Sequence, residues 1–109
     1  MIPSLGRIVH YTLTDGDATA VTKRRNDAAA NRAVHPDEDN GYIAHVGNAV
    51  SGGDVYPLII TRVWAFPDRV TEESQINGQV LLDGNDCLWV TSAGQGDQPG
   101  QWREPGRVG

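Results

Sequence analysis

The chain has a single cysteine, a single methionine and a single phenylalanine among its 109 residues. One thiol, Cys87, excludes an internal disulfide and a cysteine-rich zinc site. Cys87 stands in an apolar run, so it is expected to be a buried, inert thiol. No apolar run approaches the roughly 20 residues that cross a bilayer. The N-terminus, Met1 to Arg7, lacks a basic segment followed by a long apolar one, so no secretory signal is expected. Excess positive charge is also missing: the net charge is −5. That sign opposes the phosphate neutralisation that drives non-specific nucleic-acid binding.

The motifs of common chemistry are missing as well. His10, His35 and His45 offer no pair four residues apart and no HExxH. Asp37 to Gly41 is acidic, but its glycine falls at the fifth place and no Glu stands at the twelfth, so it does not fit a calcium loop. There is no GxGxxG after a strand, no GxxxxGK[ST] and no GxSxG. Ser4, Ser51, Ser74 and Ser92 lie at turns or strand ends. Neither an enzyme nor a cofactor is expected.

What is present points to β structure. Thirteen glycines and six prolines suit short strands with many turns. The apolar density lies between Asp54 and Ser92, in three runs: Val55–Trp64, Ile76–Leu82 and Cys87–Thr91. Asp83-Gly84-Asn85-Asp86 separates the last two and predicts a hairpin. In Val55–Trp64 both alternating faces begin apolar, the pattern of a strand covered on two sides over its first half. Pro57 places it at an edge or near the strand's start. Arg7 to Leu13 reads as an opening strand with Val9, Tyr11 and Leu13 toward the core and His10 on the outer or rim face. Tyr42 to Val46 reads as a further short strand.

Thr14 changes the period. Thr14-Asp15-Gly16-Asp17 is an N-cap with an acid three residues on, and Ala18, Val21, Arg25 and Ala28 share a helical face. One helix is expected, near residues 15–33, followed by an acidic loop over residues 34–41. The tail from Ala93 to Gly109 is rich in Gly and Pro, with Trp102 as its one large apolar anchor. Together these predict a single domain over residues 1–109. It is mainly β, a small partly closed barrel of about five strands, SH3-like or OB-like, with a helical insert over 14–41 and an extended tail over 93–109.

Candidate partner contacts are Lys23, Arg24 and Arg25, a basic cluster that could meet an acidic protein surface, and Trp102 in the tail. Tyr56, Trp64 and Trp89 could in principle stack bases, but without a basic groove they read as core or rim aromatics.

Pro3-Ser4-Leu5-Gly6-Arg7-Ile8-Val9-His10-Tyr11 resembles the opening of a family of small β-rich proteins of tailed bacteriophages and prophages, mainly actinobacterial. The likeness continues at Ile59–Trp64, at Ile76 to Gly84, at Trp89-Val90-Thr91-Ser92 and at Pro99 to Pro105. Thr14 to Asn40 varies from the family pattern, and Arg103-Glu104 replaces an aromatic expected before proline. The resemblance implies a phage origin and no catalytic residues. The expectation is a structural or accessory phage protein that binds protein, as a virion surface component such as capsid decoration. The alternatives are a cytoplasmic module that engages or inhibits a host or phage protein and, more weakly, a single-stranded nucleic-acid binder. The expected location is the virion, or the host cytoplasm during infection. Partners would be a capsid or tail protein or a second copy of the chain, with no membrane.

Overall fold

Alternation in the opening strand sets the first buried face. Val9, Tyr11 and Leu13 are buried, while Ile8 is half exposed. The computed structural model of the chain describes residues 1–34 and 45–106. Its elements are β1 (Ile8–Thr12), α1 (Asp15–Val34), β2 (Val55–Val63), β3 (Ile76–Leu81), β4 (Cys87–Ala93) and β5 (Trp102–Arg103). The strands form one antiparallel sheet in the order β4-β3-β2-β1-β5. The architecture is mainly β, as the sequence implies. The sheet is not closed into a barrel. Among the described residues its two ends meet at Trp102, where Trp102 N donates to Gly94 O (3.0 Å) and Gly96 N donates to Trp102 O (2.8 Å).

The helix begins where the sequence places it. Thr14 Oγ1 accepts from Asp17 N (2.9 Å) and Asp17 Oδ2 accepts from Thr14 N (3.0 Å), a reciprocal capping box. Ala18, Val21 and Ala28 are buried along its inner stripe, and Ala18 and Val21 join the core. The helix runs to Val34, one residue past the expected range. The loop expected over 34–41 and the strand expected over Tyr42 to Val46 lie almost wholly outside the described residues. His45 and Val46, which are described, carry no strand.

The core joins every element: Val9, Tyr11 and Leu13 with Val21, Leu58 and Ile60, Ile76 and Val80, Val90 and Trp102. The tail is therefore ordered as far as β5, with Tyr11 opposite Trp102 in the register. Two irregularities bend the sheet. β2 carries an extra residue between Ile60 and Arg62, and β4 shifts register opposite Ile76 and Gly78. Ser92, at this second bulge, takes φ 52°. Gly78 allows β2 and β3 to approach closely here, because a Cβ on it would strike the Leu58 side chain and sit 2.6 Å from Ile59 O.

Candidate interaction surface

Period two leaves one side of the sheet facing away from the core. The strand registers align its side chains in rows that cross the strands. Ile8 lies opposite Ile59, Ile59 opposite Gln79, and Gln79 opposite Trp89. The neighbouring row starts with His10 opposite Pro57 and ends with Leu81 opposite Cys87. Trp89 is 63 % exposed, Ile8 50 %, Val55 41 % and Leu81 40 %. These exposed apolar side chains, interleaved with His10 and Gln79, make this face the candidate interaction surface.

This corrects two expectations. β2 does have apolar residues on both faces, but the structure covers only the side of Leu58 and Ile60; Ile59 is half-buried and Val55 is exposed. Cys87 is exposed, not buried. Leu88 and Val90 turn toward the core, so Cys87 and Trp89 must turn outward. Reading the run Cys87 to Thr91 as uniformly apolar hid this; its alternation was the available signal. The Cys87 thiol donates to Gln79 Oε1 (3.3 Å). His10 sits in the same row but three strands away, about 14 Å at ordinary strand spacing, so no thiol–imidazole pair forms.

The sheet's edges are protected. At the start of β4, Arg24 donates from Nη2 to Cys87 O (3.1 Å). At its far end, Ser92 N donates to Asn77 Oδ1 (2.8 Å) rather than toward the edge. The opposite edge is β5, only two residues long. A short edge strand and a bulged, side-chain-capped one both resist strand addition.

The basic cluster of α1 has an internal role in two of its three members. Asp86, in the β3–β4 turn, has a side chain 1 % exposed and is gripped by Arg25 Nη2 on Oδ1 (2.9 Å) and by Arg24 Nη2 on Oδ2 (3.0 Å). Arg25 also donates from Nη1 to Asn48 O (2.5 Å). Burial pushes the Asp86 carboxyl up, and the hydrogen bonds and charges of Arg25 and Arg24 outweigh it, so the net shift is downward. Gly47 leaves room for this clasp: a Cβ there would come within 2.7 Å of Arg25 Nη2. Lys23 is exposed and pairs with Asp27 one turn on (2.7 Å). Trp102 is fully buried and donates its indole N–H to Ala93 O (3.1 Å), so its ring forms part of the core and not of the outer surface. The structure thus does not bring the four candidate contacts together.

At the rim of the outer face, Arg62 stacks over Trp64 with 3.9 Å to the ring centroid. A separate exposed cluster, Ile2, Leu5, Phe66 and Val70, borders shallow open depressions at the N-terminal end. Among the described residues no group of three His, Cys, Asp or Glu side chains could hold a metal ion. Among the same residues no helix is long and apolar enough to cross a membrane. Comparison with family models, with curated proteins and with solved structures finds no match.

Proposed function

We propose that this protein is a structural or accessory component of a tailed bacteriophage that acts by protein–protein binding, as a small surface protein of the virion such as a capsid decoration. The observation that carries the binding role is the uncovered apolar outer face around Ile8, Ile59 and Trp89. A free-standing domain gains nothing from holding an indole 63 % exposed in water; a binding surface does, because a rigid aromatic buries large area at low entropic cost. The phage assignment is supported by the Pro3–Tyr11 and Ile59–Trp64 resemblance. The chain's acidity favours a protein partner over nucleic acid.

Mass spectrometry of gradient-purified particles tests the location. The protein is expected in the particles at a fixed copy number relative to the major capsid protein. Its absence from particles, with the protein abundant in the same lysate, would replace the virion reading with that of a cytoplasmic binding module.

A further inference from the structure

We infer that the end of β2 beside Leu5 is a docking site for an extended acidic segment of a protein partner, which pairs its backbone with Val63 and sets a carboxylate against Arg62. The site lies apart from the outer face around Trp89. It rests neither on that face nor on where the protein resides.

The site exists because β2 outlasts β1. Their pairing ends with Ile8 opposite Ile59. Two further bonds continue it: Gly6 N donates to Ile60 O (2.8 Å) and Ile60 N donates to Arg7 O (3.0 Å). The chain before Arg7 then leaves the sheet. Arg7 N donates to Ser4 O (3.2 Å) with Gly6 at φ 79°, a turn whose third residue must be left-handed. The stretch from Thr61 to Val63 is left with β3 on one side and no strand on the other.

The bulge decides which groups face that gap. Ile60 N points to the β1 side. Plain alternation would send Trp64 N the same way, yet Trp64 N donates to Gln75 O (2.9 Å), on the β3 side. The extra residue between Ile60 and Arg62 has reversed the order. Val63 therefore turns its N–H and C=O into the gap, where no described residue bonds them. These are the groups that an added strand uses. The outer edges of the sheet are blocked, but this inner one is open.

The gap borders a depression of about 420 Å³ lined by Pro3, Leu5, Thr61, Arg62, Val63 and Val70, within the size range of ligand sites. Pro3 is buried, while Leu5 and Val70 are exposed. Such a lining takes an apolar side chain from the docked segment.

Arg62 sets the charge of the occupant. It is the only charged side chain among the described residues that line this depression. Arg7, Arg24 and Arg25 each pair with a carboxylate; Arg62 pairs with none among the described residues. Its guanidinium lies over the Trp64 ring, 3.9 Å from the centroid, and so is positioned before any ligand arrives. The adjoining depression, which shares Val70, holds Arg69 but also Glu72 and Glu73, so the partner's carboxylate belongs at the Arg62 end. In a chain of net charge −5, an unpaired cation in an apolar, acid-free groove selects a carboxylate-bearing segment and disfavours a basic one.

NMR titration of the isotope-labelled full chain with the blocked peptide Asp-Val-Glu-Val-Asp at low salt tests this. Extended, that peptide puts its acids on one side and its valines on the other. Saturable shifts are expected at the Leu5, Val63 and Val70 amides, with slower hydrogen exchange at Val63. Arg62→Glu should weaken binding by about tenfold or more, with unchanged circular dichroism because the side chain is exposed. Two control peptides separate the contributions: one with lysine in place of every acid, the other N-methylated at every residue and so without backbone donors. Both should bind about tenfold more weakly. The inference is overturned by the absence of shifts at millimolar peptide, by shifts that map to the face around Trp89, by equal binding of either control peptide, or by undiminished binding to Arg62→Glu. Any of these would remove the groove and leave the proposed location standing.

Discussion

The Tyr11 hydroxyl donates to Asp17 Oδ2 at 2.7 Å, tying the inner face of β1 to the first turn of α1. The same carboxylate oxygen closes the capping box with Thr14 N. One acid therefore fixes where the strand stops, where the helix starts and how the two are joined. Tyr11→Phe removes only the hydroxyl. Because the acceptor is a carboxylate, a loss of about 1.5–3 kcal/mol is expected in urea unfolding at neutral pH.

The same contact predicts an alkaline effect. Burial first, then the hydrogen bond and charge of Asp17, raise the Tyr11 phenol well above its ordinary value of 10.0. Tyr56 is shifted the same way by burial and by Asp54. A folded-state pKa above the unfolded one gives stability that is complete below the unfolded value and is lost as pH climbs toward the folded one. Stability should thus fall above about pH 10, with the Tyr11 phenol staying protonated until the chain unfolds. Tyr11→Phe should flatten that decline, with Tyr56 accounting for what remains. Full ionisation of all tyrosines in a still-folded chain would refute this reading.

The Asp86 clasp predicts the acid limb. Asp86 is buried against two guanidiniums, and Arg25 is the better buried of them, 12 % exposed against 33 % for Arg24. Arg25→Ala leaves a buried carboxylate half-compensated and also frees Asn48 O, so about 3 kcal/mol should be lost. Arg24→Ala should cost less. The Asp86 pKa is depressed in the fold, so its contribution is present above the ordinary carboxylate value and disappears as pH falls through the folded one. Urea titrations at pH 7 and pH 3 should show a smaller difference for Asp86→Asn than for the parent chain.

These contacts show how much the sequence carried. Local signals were legible: the alternation of Val9, Tyr11 and Leu13, the Thr14–Asp17 cap, the Ala18–Val21–Ala28 stripe and the turn formers at Asp83 to Asp86 each depend on neighbours within a few residues. Trp102 was legible as an anchor because an indole in a Gly/Pro-rich tail has few other uses. What stayed hidden depends on distant partners. Arg25 reaches Asp86 across 61 positions; its place on the stripe with Ala18, Val21 and Ala28 showed which way it turns, but not the acceptor it meets. The outward side of β2 and the exposure of Cys87 were hidden for another reason. Apolar composition reports what a strand tolerates, not what the chain has left to cover it with.

Asn77 joins the two bulges. Its Oδ1 accepts from the Trp64 indole (3.1 Å) and from Ser92 N (2.8 Å), and the residue is buried. Asn77→Ala would leave the Ser92 amide without that acceptor at a position of unfavourable φ. A loss of about 2–3 kcal/mol is expected. Hydrogen exchange gives the local readout: the Ser92 amide should be protected in the parent chain and exchange faster in the variant, with little change at Val80 in the sheet's centre.

Trp102 carries the last prediction, because it links the tail to the rest of the sheet. Its ring fills the core opposite Tyr11, its indole N–H reaches Ala93 O, and its backbone holds Gly94 and Gly96. Trp102→Ala should lose about 3–5 kcal/mol; Trp102→Phe, which keeps an aromatic ring but drops the donor, should lose less. The two substitutions differ in more than size. With alanine, the amides of Gly96 and Trp102 itself should lose hydrogen-exchange protection, because the stitch between the sheet's ends depends on the buried ring. With phenylalanine that protection should largely persist. Protected tail amides in the alanine variant would mean that backbone pairing alone holds β5, and that the indole is packing without being the anchor.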